Sequence, residues 1–84
     1  MSKPYRGELF HWRRVPFDAK KMSEFYNEDV GLGYTVAGFT TETPKLGSSW
    51  RTSWVVRFED RGSTSIIETR NSLYKLIGPE VQDE

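Results

Sequence analysis

Trp54-Val55-Val56-Arg57-Phe58, followed by Glu59-Asp60-Arg61-Gly62 and then Ser65-Ile66-Ile67-Glu68-Thr69, reads as a β-hairpin. Trp54, Val56 and Phe58 alternate with Ser53, Val55 and Arg57, the period of two that gives each set its own face of a strand. β-branched and aromatic residues suit a pleated, half-buried surface. Glu59 to Gly62 is polar and closes on glycine, which accepts the positive φ of a tight turn. Arg70-Asn71-Ser72 predicts a second turn, and Leu73-Tyr74-Lys75-Leu76-Ile77 a last short strand stopped by Gly78-Pro79.

Toward the N-terminus, Leu9, His11, Arg13 and Val15 alternate with Phe10, Trp12 and Arg14, which predicts a strand over Glu8 to Val15. The aromatic pair Phe10 and Trp12 suits its core face, and Pro16 ends it for want of an N–H. Asp18 is an N-cap, with Phe17 placed to staple onto Met22. Ala19, Met22, Phe25 and Tyr26 form an apolar stripe on a helix from Ala19 to Asn27. Lys20 and Lys21 in its first turn and Glu28-Asp29 beyond its end oppose the helix dipole, so tertiary packing has to hold it. Tyr34-Thr35-Val36-Ala37-Gly38-Phe39 reads as another strand. Thr40 to Thr52 is rich in Ser and Thr, carries Pro44 and Gly47 and shows no hydrophobic period, so it reads as a long loop. Loops of that length in compact domains are commonly functional or mobile.

The expected fold is α+β: a small curved antiparallel sheet, or an SH3-like partly closed barrel, of four to five strands with one short helix plugging one end. Residues 1–79 form the single domain, and the acidic tail 80–84 is expected to fray. A chain of 84 residues buries only about 60 to 65% of its unfolded surface and supports one core. The absence of cysteine removes disulfides, thiolate metal sites and a cysteine nucleophile. Apolar runs are short, such as Val55-Val56 and Ile66-Ile67, so no membrane span or signal segment is expected and a cytoplasmic location is.

Lys and Arg number 12, as do Asp and Glu, which speaks against a general polyanion binder. The balance is uneven along the chain: residues 1–21 carry six basic and two acidic side chains, whereas residues 22–44 carry four acidic and none basic. Such an asymmetry orients encounter with a charged partner; it equally serves solubility.

An enzyme is not expected. His11 is the lone histidine, and it reads more simply as a packed or solvent-edge residue than as an acid or base. Glu28-Asp29 and Glu59-Asp60 read as solvated turn residues. No metal or other cofactor is implied, because a zinc site needs three or four suitable ligands. Gly31-Leu32-Gly33 lacks the third glycine or the Gly-Lys-Ser ending of a phosphate loop and reads as a helix stop.

Two surfaces remain. Trp50 and Arg51, with Lys45 and Thr52, lie in the long loop, and Trp and Arg are frequent interface anchors. They predict a protein-binding surface. Trp12, Arg13, Arg14, Lys20 and Lys21 would serve a nucleic-acid-binding small β-barrel, although a Trp in a small sheet is more often core, and Arg13 and Arg14 face opposite ways on a regular strand.

Arg51-Thr52-Ser53-Trp54-Val55-Val56 and Glu68-Thr69-Arg70-Asn71-Ser72-Leu73-Tyr74-Lys75-Leu76 resemble a pattern in small bacterial and phage proteins. The resemblance implies a hairpin closed by a Thr-Arg-Asn-Ser turn and carries no activity. The sequence thus predicts a non-enzymatic binding module, a phage- or mobile-element-type inhibitor or regulator working by protein contact. A nucleic-acid-binding barrel is the alternative. A third reading, a structural subunit of an assembly, predicts homo-oligomerisation.

Overall fold

The computed structural model describes residues 3–41 and 49–81. They form β1 (Tyr5–Pro16), α1 (Ala19–Tyr26), β2 (Tyr34–Phe39), β3 (Ser49–Arg51), β4 (Val55–Arg61), β5 (Thr64–Thr69) and β6 (Leu73–Ile77). The strands make one six-stranded sheet in the order β3-β2-β1-β6-β5-β4. All neighbours are antiparallel except β1 and β6, which run parallel. The fold is α+β, as the sequence predicts, but the sheet is mixed rather than wholly antiparallel and has six strands rather than four to five. The added strand, β3, lies at the end of the expected loop and pairs Trp50 with Gly38.

The sheet order explains its curl. β3 and β4 stand at opposite edges yet are consecutive in the chain, joined only by Thr52-Ser53-Trp54. Six flat strands would set those edges about 24 Å apart, whereas the steps from Arg51 to Val55 span at most about 14 Å. The sheet therefore bends into a half-barrel whose two edges are one chain segment turning a corner. Thr52 makes the corner: its amide donates to Val36 O at 2.9 Å, and its hydroxyl accepts from Val36 N at 3.1 Å and donates to Ser53 O at 2.8 Å. Behind the corner, Leu32 N donates to Val55 O.

Two bulges reassign the strand faces. Between Phe10 and Arg13 the β1–β2 register shifts, with His11 at φ 50°. An extra residue in a strand moves everything beyond it to the other face, so Leu9 and Trp12 are the buried pair, while Phe10 is only half-buried. In β4 the register shift falls between Val55 and Arg57, so Val55 enters the core, with Phe58 packed against it. The expected common face of Trp54, Val56 and Phe58 does not form. The core is Leu9, Trp12, Val36, Val55, Ile67, Tyr74 and Leu76, with Tyr34 and Phe58 at its margin.

The helix starts as predicted, with Asp18 accepting from Lys21 N, and ends at Tyr26 with Asn27 in the left-handed region. None of its eight residues is buried, and Phe25 is 80% exposed. The expected apolar stripe therefore does not sit in the core, because the curled sheet fills its own interior with Trp12, Tyr74 and the aliphatic residues. The helix leans instead on the corner, where the Tyr26 ring meets Trp54 edge-on at 5.2 Å. At the C-terminus, Trp12 Nε1 donates to Gly78 O and Val81 N to Trp12 O. Glu80 accepts from Arg14 N at 3.0 Å. Glu80 and Val81 thus bond to β1; residues 82–84 lie outside the described residues.

Candidate functional site

The site begins with a row of paired residues across three strands. Arg13 on β1 stands opposite Ala37 on β2, and Ala37 opposite Arg51 on β3. Directly paired residues share a face, so both arginines rise from one side of the sheet with a methyl group between them. Neighbouring strands are about 4.8 Å apart, which sets the two backbones about 10 Å from each other. Arg51 is steadied by its Nε donating to Thr35 Oγ1 at 3.2 Å.

The bulge brings His11 to the same place. His11, Arg13, Ala37, Gly38, Phe39, Ser49, Trp50 and Arg51 line a cleft of about 220 Å³. Bulges commonly re-aim a side chain beside a functional site, and here one sets the lone histidine of the chain beside two arginines. Trp50, next to Arg51 along β3, contributes to the rim of this cleft but sends its side chain to the opposite, concave face. It is 41% exposed, and its Nε1 donates to the Tyr74 hydroxyl at 3.2 Å. On that face it lines a smaller cleft of about 140 Å³ with Arg6, Glu8, Leu9, Thr40 and Tyr74. The edge strand thus carries a pinned ring on one face and an arginine row on the other.

The predicted site residues separate in three dimensions. Arg51 joins Arg13, which the sequence assigned to the other candidate surface, while Trp50 points to the opposite face of the edge. Thr52 is buried and spends its hydroxyl on the strand corner, so it presents nothing outward. Lys45 lies outside the described residues. Trp12 is buried in the core, where no ligand can stack on it. Arg14 turns away from Arg13: its guanidinium lies 4.9 Å from the Phe58 ring centre and 5.5 Å from that of Tyr34, with Glu80 alongside. Burial raises the pKa of the Tyr34 phenol, an effect that Arg14 opposes and Glu80 reinforces. Lys20 and Lys21 are exposed on α1. The members of the set expected to hold nucleic acid therefore do not share one surface.

Sequence reading did not single out Ala37 or Gly38. The glycine opposite the bulge was the available signal: a Cβ there would lie 3.2 Å from Leu9 Cβ and 3.3 Å from Trp12 Cβ. It also did not single out an exposed cluster at the end of α1. Phe25 packs edge-on against Tyr26 at 5.0 Å, and Arg70 lies over Trp54 while pairing with Glu28 at 2.7 Å. Among the described residues, no three His, Asp or Glu side chains gather as a metal site. No helix among them is long and apolar enough to cross a membrane.

Fold and site define a small α+β half-barrel whose β3 edge carries a basic cleft on one face and a half-exposed tryptophan on the other. Compared with known proteins, the chain matches no family model, no curated protein and no solved structure.

Proposed function

We propose that this domain is a non-enzymatic binding module that inhibits or regulates a protein partner through β3 and the cleft beside it. The observation that carries this reading is Trp50, a large aromatic held half-exposed at the sheet edge by its bond to Tyr74, with Arg51 and Arg13 on the other face of the same edge. A pre-fixed aromatic ring loses little side-chain freedom on binding, and Trp and Arg are the commonest residues in interface hot spots. A protein partner is favoured over a nucleic acid because the cations at the cleft form a compact group. A phosphodiester track needs a run of them.

The test is affinity capture from the native host with the wild-type chain and with the Trp50→Ala/Arg51→Ala variant, read by mass spectrometry. The variant should lose the partner yet stay folded, its stability falling by about 1 to 3 kcal/mol from the lost Trp50–Tyr74 bond and the part-buried indole. Equal capture by both proteins overturns the reading.

A further inference from the structure

We infer that the occupant of this edge is an extended acidic segment of a protein, laid along β3 with a carboxylate side chain set against Arg51 at the mouth of the cleft. The inference rests on the proposed use of β3 as the binding surface and adds the chemistry and backbone form of what binds there.

Backbone geometry comes first. Among the described residues the backbone ladder of β3 pairs with β2 alone. Thr52 N donates to Val36 O, and Val36 N donates to the Thr52 hydroxyl in place of its carbonyl, which marks this pair as a hydrogen-bonded position. In an antiparallel ladder such pairs alternate, so Trp50 also faces Gly38, and the amides and carbonyls of Ser49 and Arg51 turn to the open side. An open row of this kind accepts an added strand, in which main-chain bonds supply affinity and alternate side chains supply specificity.

Charge then selects the side chain. Arg51 stands first in the path of a side chain from an added strand, and Arg13 stands behind it across Ala37. A carboxylate between two guanidinium groups accepts charge-assisted, fork-shaped hydrogen bonds. Ala37 leaves room for Arg13 to lean toward Arg51, and His11 closes the end of the cleft. Glutamate reaches farther toward that pair than aspartate, so an acidic segment with Glu at alternate positions fits best.

The experiment uses the whole chain and three labelled probes: an extended peptide alternating Glu with Thr, the same peptide with Gln for each Glu, and a single strand of oligothymidylate. Fluorescence anisotropy should show the Glu peptide binding at least about tenfold tighter than the Gln peptide, the ratio worth 1.4 kcal/mol. Proton–nitrogen correlation spectra should show the Ser49 and Arg51 amides and the Trp50 indole N–H shifting on addition of the Glu peptide. Arg51→Gln should remove the preference for Glu and Arg13→Gln should weaken it, whereas Arg61→Gln on β4 should leave it intact. Equal binding of the Glu and Gln peptides, no peptide binding at all, or binding of oligothymidylate alone overturns the inference. These failures are separable from failure of the interface itself: if the Trp50→Ala/Arg51→Ala variant loses the native partner while no acidic peptide binds, the surface stands and the acidic strand falls.

Discussion

The indole nitrogen of Trp50, on a three-residue edge strand, donates to the hydroxyl of Tyr74, a core residue of β6, at 3.2 Å. β6 lies three places along the sheet from β3, so the bond spans the concave side of the curl and ties the edge to the interior. Gly38, paired with Trp50, contributes no side chain and leaves the ring this path.

Tyr74→Phe removes the acceptor without changing the buried ring. A typical hydrogen bond contributes about 1 kcal/mol net, so chemical denaturation should show a loss of that size. The Trp50 indole N–H resonance should shift, while those of Trp12 and Trp54 hold their positions. An unchanged Trp50 signal would show that the bond does not set the ring.

Glycine at two positions is required by space, and the two should differ in severity. Gly31 has φ +69°, and a Cβ there would collide with the backbone carbonyl of Val55. Gly38→Ala would press on Leu9, Trp12 and the Phe10 carbonyl at 3.2 to 3.3 Å, a crowding that side-chain and strand shifts can partly relieve. Overpacking costs about 1 to 3 kcal/mol, and Gly38→Ala should fall in that range. Gly31→Ala should cost more, because it adds left-handed strain to a clash with backbone. The reverse order in urea unfolding would contradict the strand-corner geometry.

The cluster at the end of α1 separates exposure from burial within one set of touching rings. Phe25 is 80% exposed, whereas Trp54 is 5% exposed beneath Tyr26 and Arg70. Truncating a buried aromatic costs about 3 to 5 kcal/mol, while an exposed one away from caps and cores changes stability by about 0.5 kcal/mol or less. Trp54→Ala should therefore unfold much of the population at moderate urea and Phe25→Ala should track the wild type. A large loss with Phe25→Ala would mean that the helix is seated more deeply than its exposure states.

What the sequence revealed and what it hid divide along local and long-range physics. Asp18 caps the helix because its carboxylate reaches an amide three residues on, and the β4–β5 hairpin forms around a polar turn closed by Gly62, both visible over a few residues. The parallel contact of β1 with β6 joins residues more than sixty positions apart, as in Tyr5 with Leu73, and no local period encodes it. Bulges at His11 and Val56 leave hydrophobicity intact while exchanging faces, so Leu9 and Val55 could not be identified as core by alternation. The site was half legible: Trp50 and Arg51 carried a signal, but the meeting of Arg51 with Arg13 exists only through the register of three strands. Phe25 and Tyr26 had helical spacing, yet spacing does not say whether a sheet has already filled its own core.

The phenol of Tyr34 ties stability to alkaline pH. Burial is the main cause raising its pKa above the ordinary 10.0, with Arg14 pulling it down and Glu80 pushing it up. The folded chain therefore holds this proton more tightly than the unfolded chain does. Below the unfolded value near 10 both states are protonated and the contribution is fully present. As pH rises beyond it, the unfolded state ionises first, and the contribution is lost as pH climbs through the folded value. Tyr34→Phe deletes the titrating group while keeping the ring beneath Arg14. Measured by urea unfolding through that alkaline window, the variant should lose stability less steeply than the wild type. Other groups titrate there too, Tyr5 among them, so the informative quantity is the difference between the two curves. A difference that stays constant with pH would mean that the Tyr34 phenol is as solvated in the folded chain as in the unfolded one.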